Sequence, residues 1–357
     1  MNANGKTRKT IGVGIVGLGF MAATHLKAYR QIDACRIAAF CNPSGRNLDG
    51  DFSTVTGNIG SGEPLKLDMT EVKAYRNFGE LLANSAVQVV DICAPTHAHP
   101  ELAIAALKAG KHVICEKPLA RTTREARQIA DVAGSAGRIL MPAMCLRFWP
   151  EWVWLKQAID AKAYGRVLAA RFRRVAPPPA WGQKFFLDGR LSGGALLDLH
   201  IHDTDFIQFC FGRPLSVFST GFSKVSGAID HVVTQYQVAS GASVSAEGSW
   251  AMTEGFGFQM AYTGIFEHAT ADFDIARGAD ALKLFEKGKD PQALRFSGQD
   301  GYLGELKYML ECVRSGTPPS TVTPQDGVSA VEICEAEERS VNGRTIVALQ
   351  KDLKAWQ

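Results

Sequence analysis

Short apolar runs alternate with segments of helical periodicity through the first 146 residues. Strands are predicted over residues 11–16, 36–41, 87–93, 112–115 and 138–144, and helices over 23–29, 77–84, 100–109 and 123–136. Apolar strands that alternate with helices are typical of a parallel sheet covered on both faces. Because right-handed crossovers make such a sheet doubly wound, the pattern predicts an α/β domain over residues 1–146.

One segment interrupts this alternation. Residues 44–67 are rich in glycine and contain few apolar residues. This composition predicts a surface insertion rather than a helix or a strand.

The pattern changes after Arg147, and a second domain is predicted over residues 147–357. A helix over 151–162, a strand over 166–175, a rigid Pro177-Pro178-Pro179 loop and a helix over 194–211 come first. Closely spaced strands follow over 217–222, 231–238, 243–250, 257–262 and 266–272, and their short turns indicate antiparallel pairing. Two late helices, 301–315 and 324–342, are expected to cover one sheet face and reach back to the first domain.

Composition and charge argue against some classes of binding partner. The 357 residues are 46% hydrophobic and carry a formal charge of +3, which is too small to favour nucleic acid or an anionic membrane as partner. A small, roughly neutral partner is expected instead. The chain has no apolar run long enough for a transmembrane helix. The eight cysteines form no CxxC pair, which favours reduced thiols in a cytoplasmic protein.

The N-terminus superficially resembles a secretory signal. Lys6, Arg8 and Lys9 precede an apolar run over residues 11–23. That run contains four glycines, however, and a strand followed by a glycine turn accounts for it better.

The glycine turn carries a dinucleotide-binding pattern. Gly17-x-Gly19-x-x-Ala22 lies between the first predicted strand and helix, with alanine in the last position. The first glycine permits the tight turn, the second lets the backbone approach a pyrophosphate, and the helix N-terminus faces its negative charge. An ordinary glycine-rich turn is the alternative, but the flanking strand-helix-strand context favours a cofactor.

The end of the second strand bears on the choice of cofactor. A carboxylate there would bind the adenosine ribose of NAD and repel a 2′-phosphate, but the chain has Asn42, followed by Ser44 and Arg46. NADP is therefore slightly favoured over NAD. In the alternative, Arg46 belongs to the insertion and contacts no cofactor.

A charged motif follows the predicted strand over 112–115. Ligands bind at the carboxyl ends of strands in open α/β sheets, and Cys115-Glu116-Lys117-Pro118 occupies such an end. Lys117 can donate to a substrate hydroxyl or a cofactor ribose and help to discharge a proton. A solvated lysine at a strand end is the alternative.

A third motif, Asp198-Leu199-His200-Ile201-His202-Asp203-Thr204-Asp205, lies on a predicted helix. Helical spacing places Asp198, His202 and Asp205 on one face, with His200 nearly opposite. His200 and His202 therefore do not converge on a metal, and no metal site is expected. Asp198 is expected to orient His202 and raise its basicity for general-base catalysis. Alternatively, the carboxylates make salt bridges and His202 is a core residue.

These motifs together resemble the glucose-fructose oxidoreductase / inositol dehydrogenase / MocA (Gfo/Idh/MocA) family of NAD(P)-dependent oxidoreductases. The resemblance spans the chain and is carried by residues 94–99, 110–112, 116–119, 147–150 and 193–198. It implies a Rossmann domain followed by an α+β domain with a large, mainly antiparallel open sheet, often used for dimer or tetramer contacts. It also implies a sugar, inositol or related polyol as substrate.

The resemblance assigns roles to individual residues. Lys117 matches the family's EKP lysine, Asp198 its substrate-binding acid and His202 its catalytic histidine. The residues expected to bind the cofactor are Gly17, Gly19, Phe20, Met21, Asn42, Ser44, Arg46, Ala94, Thr96, His99, Glu116 and Lys117. Two positions depart from the family pattern: His200 stands where many members have glycine, and Asn42 replaces the common ribose acid.

The predicted activity is reversible hydride transfer between a secondary alcohol carbon and nicotinamide C4. His202 is expected to take the hydroxyl proton while Asp198 and Lys117 hold the oxygen. Substrate contacts are expected from Arg147, Trp181, Asp198 and His202, with Phe185 beside them. Two alternatives remain open: a retained-NAD(H) enzyme that cleaves or epimerises glycosides, and a non-enzymatic dinucleotide-binding sensor.

Overall fold

The computed structural model describes residues 10–57, 64–296, 298 and 300–349. The first domain consists of β1 (Ile11–Val16), α1 (Phe20–Tyr29), β2 (Cys35–Cys41), β3 (Lys73–Tyr75), α2 (Phe78–Ala83), β4 (Val89–Ile92), α3 (His99–Lys108), β5 (His112–Glu116), α4 (Thr123–Ala136) and β6 (Leu140–Ala143). Its six strands run parallel in the order β3-β2-β1-β4-β5-β6. This is the doubly wound order of a dinucleotide-binding sheet, as predicted.

The central strands are buried on both faces, which explains their continuous apolar character. Every residue of β1 and of β4 is buried. The apolar run over 11–23 that superficially resembled a signal thus forms the middle strand of the sheet and the start of α1. The long helix α4 is defined by its ends: the Thr122 side chain caps its first turn, and Gly137 ends it at φ +59°.

The segment 44–67 folds onto the first domain more closely than predicted. Its described part contains neither a helix nor a ladder strand, but Phe52 and Leu65 are buried, and the Phe52 amide donates to the Leu65 carbonyl at 2.8 Å. A Cβ on Gly57 would lie 1.9 Å from the Phe20 ring. The segment therefore covers the glycine turn instead of projecting into solvent, because its few apolar side chains reach the core.

The second domain contains α5 (Pro150–Asp160), β7 (Val167–Val175), α6 (Gln183–Phe186), α7 (Gly189–Ser192), a π-helical turn (Leu196–His200), α8 (Ile201–Phe211), β8 (Ser216–Phe222), β9 (His231–Gln237), β10 (Ser243–Ser249), β11 (Gln259–Phe266), β12 (Ala269–Asp274), β13 (Leu282–Glu286), β14 (Gln292–Leu294), α9 (Gly301–Ser315), α10 (Pro324–Gly343) and β15 (Val347–Ala348). Nine of these strands form one sheet in the order β14-β13-β12-β11-β7-β10-β9-β8-β15. Its pairs are antiparallel except for β7 with β10. The predicted mainly antiparallel sheet is thereby confirmed.

One face of this sheet packs against helices and the other is open. Phe172 of β7 and Tyr262 of β11 are buried beneath Trp152 of α5 and Phe206 of α8. Residues on the opposite face alternate with them and are partly or fully exposed. The alternation follows from the two-residue period of a strand and makes the sheet one-sided.

The last two long helices connect the domains. Leu303, Leu306, Val328 and Val331 belong to the same buried cluster as the strands of the first sheet. Helix α10 is fixed at its start by a capping box in which Thr323 and Asp326 bond each other's backbone. The polypeptide therefore returns to the first domain after building the second. Among the helices of the described residues, none is long and apolar enough to cross a membrane.

Candidate active site

The turn between β1 and α1 forms one wall of a cleft of about 580 Å³ between the two domains. Gly17 has φ +83°, and a Cβ there would lie 2.7 Å from the Ala94 backbone, so only glycine fits. Among the described residues, no side chain or loop lies within 4 Å of the Cβ position of Gly19. The open space over Gly19 and the N-terminus of α1 suit a pyrophosphate.

Most of the predicted cofactor residues line this cleft. They are Gly17, Gly19, Phe20, Met21, Asn42, Ser44, Arg46, Ala94, Thr96, Glu116 and Lys117. His99 does not line it: its ring is buried between the carbonyl oxygens of Ala94 and Pro118, at 2.8 and 2.9 Å. It braces the two loops that end β4 and β5, and the prediction that His99 binds the cofactor is corrected accordingly.

The turn after β2 is free of carboxylates at the adenosine end of the cleft. Asn42 holds the turn, since its amide nitrogen donates to the Arg46 carbonyl at 2.8 Å and its oxygen accepts from the Ser44 hydroxyl at 3.0 Å. Arg76 lies on the other side, with a guanidinium nitrogen 2.5 Å from the Cβ position of Gly45. Arg46 and Arg76 are both exposed and flank the turn. Arg76 is 30 residues from Arg46 in the chain, so no local pattern in the sequence indicates that the two arginines flank one turn.

Lys117 and Asp198 meet across the cleft. Lys117 follows β5 in the first domain, and its Nζ donates to the Asp198 carbonyl at 2.6 Å and lies 3.3 Å from the Asp198 carboxylate. Both side chains are mostly buried but line the cleft. Two residues 81 positions apart in the chain thus form one contact that joins the domains.

A π-helical turn presents Asp198 to this lysine. Helix is predicted continuously over 194–211, but residues 196–200 have π-helical bonding and the α-helix begins only at Ile201. Such turns contain one extra residue and occur frequently at functional sites. The side-chain directions expected from ideal α-helical spacing therefore do not apply to Asp198.

His202 also lines the cleft, but the predicted pairing of His202 with Asp198 is not observed. Its Nδ1 is buried and has no hydrogen-bond partner in the part of the chain that the structure describes. Burial lowers the pKa of His202 well below its ordinary value, and the positive charges of Lys117 and Arg174 lower it further. The prediction that Asp198 raises the basicity of His202 is wrong, because Asp198 is engaged by Lys117.

Asp205 and Arg147 pair with each other outside the cleft. The Arg147 guanidinium donates to both Asp205 oxygens at 2.8 and 2.6 Å and to the Thr321 carbonyl at 2.8 Å. Arg147 is only 4% exposed and is absent from the cleft lining. The position of Arg147 therefore does not support its predicted contact with substrate. Asp205 pairs with Arg147 and not, as predicted, with His202. Both residues connect α8 to the loop before α10.

His200 faces away from His202, as predicted. Its Nε2 lies 3.0 Å from the Tyr236 hydroxyl, and Glu337 is 3.5 Å away. The histidine is fully buried beside Gly248, where a Cβ would lie 2.5 Å from the His200 Cβ. Although burial alone lowers the pKa of His200, the Glu337 carboxylate outweighs it and the net pKa is raised. The two histidines occupy separate environments.

A buried charged cluster below the cleft was missed by the sequence analysis. His25 of α1 lies 2.8 Å from Asp91, 3.2 Å from Glu116 and 3.8 Å from Glu305. Despite the opposing effect of burial, Asp91 and Cys93 leave the pKa of His25 raised well above its ordinary value, while burial raises that of Glu305. These residues come from four elements, so no local motif signalled them. Glu116 connects the cluster to the cleft.

A glycine turn on one wall and a lysine, an aspartate and a histidine around the opening are the features expected of a dinucleotide-dependent oxidoreductase. Residues 11–144 match the family described as "Oxidoreductase family, NAD-binding Rossmann fold", and residues 152–266 match "GFO/IDH/MocA C-terminal domain". The chain therefore belongs to the GFO/IDH/MocA oxidoreductase family. This confirms the family, the fold class and the class of enzyme predicted from the motifs.

Relatives over most of the chain are dehydrogenases. Myo-inositol 2-dehydrogenase of Thermotoga maritima is 29% identical over 353 residues, which cover 95% of this chain and 98% of the relative. The scyllo-inositol 2-dehydrogenase (NAD(+)) of Bacillus subtilis is 27% identical over 289 residues, covering 77% and 81%.

Solved structures share the fold. Levoglucosan dehydrogenase in complex with NADH and levoglucosan superposes with a TM-score of 0.81 at 21% identity, covering 95% of this chain and 99% of that one. Aldose-aldose oxidoreductase from Caulobacter crescentus complexed with glycerol has a TM-score of 0.80 at 21% identity, covering 96% and 100%.

Proposed function

We propose that the protein is an NAD(P)-dependent dehydrogenase that transfers a hydride reversibly between a secondary alcohol of a sugar, inositol or related polyol and nicotinamide C4. The contact of Lys117 with Asp198 across the cleft, with His202 on the same wall, carries this proposal. The inositol dehydrogenases that align over most of the chain support the substrate class.

Lys117, Asp198 and His202 have different roles at the substrate alcohol. The Lys117 ammonium donates to the alcohol oxygen and stabilises negative charge that develops on it. Asp198 holds the lysine and accepts from a neighbouring hydroxyl. His202 accepts the alcohol proton, and its lowered pKa keeps the ring unprotonated near neutral pH. When bound, the nicotinamide supplies the hydride acceptor.

The residues of the cleft fit a dinucleotide with a 2′-phosphate. The open space over Gly19 suits the pyrophosphate, and the Ser44 hydroxyl with the Arg46 guanidinium suits a phosphate on the ribose. Arg76 does not line the cleft but adds a second positive charge beside Gly45 of the same turn. No carboxylate of the turn repels that phosphate, because Asn42 stands at the end of β2. We therefore favour NADP slightly over NAD.

A hydride-transfer assay tests the proposal. The protein is mixed with NAD⁺ or NADP⁺ and a panel of inositols and sugars, and nicotinamide absorbance is followed. Net reduction of the nucleotide by at least one polyol is expected, with kcat/KM higher for NADP⁺. Lys117→Ala should lower turnover by about 10²-fold or more, with nucleotide affinity largely retained. Arg46→Ala should weaken NADP⁺ more than NAD⁺.

The same assay separates the alternatives. Product without net nucleotide reduction would favour a retained-NAD(H) enzyme that cleaves or epimerises glycosides. No reaction across a broad panel would favour a sensor. Wild-type turnover in Lys117→Ala would remove the mechanism, and equal effects of Arg46→Ala on both nucleotides would remove the phosphate contact.

A homodimer or homotetramer through the open face of the nine-stranded sheet belongs to the same proposal. Phe218, Val233, Ile265 and Phe285 are each more than 40% exposed on four strands of that face. Exposed apolar groups of this size are typical of an interface. The eight free cysteines support a reducing, cytoplasmic compartment.

A further inference from the structure

The wall of the cleft contributed by residues after 147 is largely apolar. Among the described residues of this part of the chain, fourteen line the cleft, and ten of them have apolar or tryptophan side chains or are glycine. The other four are Arg174, Asp198, His202 and Tyr302. Few groups on this wall can therefore bond the hydroxyls of a substrate.

Two of these four groups, Asp198 and Arg174, already bond within the protein, which leaves His202, Tyr302 and the remaining acceptor capacity of Asp198 for a substrate. Asp198 accepts from Lys117, and the Arg174 guanidinium donates to Asp203 at 2.8 Å and to the Met260 sulfur at 3.0 Å. The proposed mechanism directs Lys117 and His202 at a single reacting oxygen. An inositol or a free hexose carries five or more hydroxyls, and each one buried without a partner costs binding free energy.

An aromatic cluster occupies the space next to the reacting groups. Leu199, the neighbour of Asp198 in the chain, packs in one hydrophobic cluster with Trp250, Phe186 and Phe258. The Phe186 ring contacts that of Trp250 edge to face at 5.7 Å between ring centroids. The buried members of this cluster form a group of their own, and Phe258 joins it to the core of the second domain. Leu199, Trp250, Phe186 and Phe258 all line the cleft.

The aromatic wall continues towards the glycine turn. Trp181 lies 5.7 Å from Phe20, and Phe185 lies 5.0 Å from Phe186, between ring centroids. Trp181, Phe185 and Phe186 are all partly exposed to the cleft. One or two rings are enough to stack on the C–H face of a sugar, and the remaining rings leave apolar surface that suits a planar or extended apolar group.

We propose that the substrate is a polyol ring that carries a large apolar substituent, of the aryl or long-alkyl glycoside class. The polyol ring lies at Lys117, Asp198 and His202, and the substituent lies on the aromatic cluster. This inference rests on the proposed function, because it takes the redox site as the place where the sugar binds. The substituent supplies binding free energy that the few polar groups of this wall cannot.

Matched glycosides test the inference. Methyl and phenyl glycosides of the same sugar are compared in pairs, across gluco, galacto and manno configurations and both anomers. Binding to the protein saturated with NADPH is measured by calorimetry, and kcat/KM is measured with NADP⁺. The phenyl member of at least one pair should bind about tenfold more tightly or better, because it buries an additional ring. Equal affinities in every pair overturn the inference.

Variants locate the effect. Phe186→Ala and Phe185→Ala should each weaken binding of the phenyl glycoside severalfold more than binding of the methyl glycoside, so that the phenyl-to-methyl affinity ratio falls. Phe256→Ala is the control, since Phe256 is 42% exposed and lies outside the cleft. An unchanged ratio in both cleft variants would place the substituent elsewhere and overturn the assignment to this wall.

Failure of the inference and failure of the proposed function give different results. Oxidation of free polyols without any phenyl preference would keep the dehydrogenase and remove the apolar substituent. Tighter binding of phenyl glycosides without hydride transfer would keep the substrate class and remove the dehydrogenase.

Discussion

His202 is an imidazole held in its neutral form by its surroundings. Burial is the largest cause of its lowered pKa, and the Lys117 and Arg174 charges act in the same direction. A neutral ring can accept a proton at once, but its imidazolium is unstable beside two cations. The proton taken from the alcohol therefore has to leave the ring quickly, and the open cleft gives it a route to solvent.

The direction of this shift predicts the pH dependence of alcohol oxidation. Because the ring must be unprotonated to act, and its pKa lies below the ordinary 6.5, kcat/KM should stay level as the pH falls to 6.5 and decline only below it. His202→Asn should lower kcat/KM by about 10²-fold or more and remove this acidic decline.

The control for this profile is His268→Asn, at an exposed histidine outside the cleft. It should behave as wild type at every pH. A decline in the wild-type protein that begins above pH 6.5, or that persists in His202→Asn, would assign the titration to another group.

The place of a site residue could be predicted from the sequence only where it depends on local structure, such as the end of a strand. Lys117 was assigned to the cleft because strand ends meet at one edge of a parallel sheet, and it lies there. The pairing of Arg147 with Asp205 was not predictable, since 58 residues separate them in the chain. The same holds for His25 and its carboxylates, which are partners only through the sheet.

At the scale of elements, the π-helical turn over residues 196–200 decides where Asp198 points. His200 ends the turn and is wedged against Gly248 of β10, and Tyr236 of β9 bonds its ring. A side chain larger than hydrogen at residue 248 would compete with His200 for the same space. Gly248 thus leaves the room that a histidine at this position requires.

Gly248→Ala is expected to disturb this turn. The added Cβ would lie 2.5 to 2.8 Å from three atoms of His200, and such overpacking costs about 1–3 kcal/mol. The variant should unfold at a lower temperature and lose kcat/KM as Asp198 moves away from Lys117. Thermal unfolding and the hydride-transfer assay measure the two effects.

Gly134→Ala is the matched control, because Gly134 lies within α4 with no atom within 4 Å of its Cβ position. It should raise the free energy of unfolding by about 0.5–1 kcal/mol and leave kcat/KM unchanged. If Gly248→Ala retained wild-type activity and stability, His200 would not hold the turn.

Elements with strong periodicity were predicted well, and short ones were not. The bounds of α4 and α9 agree with the prediction at both ends. The strands β3, β14 and β15 were missed because two or three residues are too few to show a period. The five-residue strand β13 was missed as well. The π-helical turn was missed because its composition does not differ from that of an α-helix.

At the scale of the whole molecule, the open sheet face predicts an oligomer. Val233→Lys should shift the oligomer towards monomer. In a single chain the added ammonium would lie opposite Glu247 and reach water, whereas between two chains it would be buried without water. Molar mass is measured by sedimentation. Phe296→Lys, at a residue 39% exposed outside the sheet, should leave the mass unchanged. A monomeric wild-type protein would contradict the proposed assembly.

The return of α9 and α10 to the first domain affects how the chain can be made in the cell. The nucleotide-binding sheet lacks part of its apolar cover until residues up to about 340 have left the ribosome. The strands of this sheet that are made first therefore remain partly exposed through most of translation. A fragment that stopped near residue 146 would keep that surface bare and should aggregate, even though it contains the whole parallel sheet.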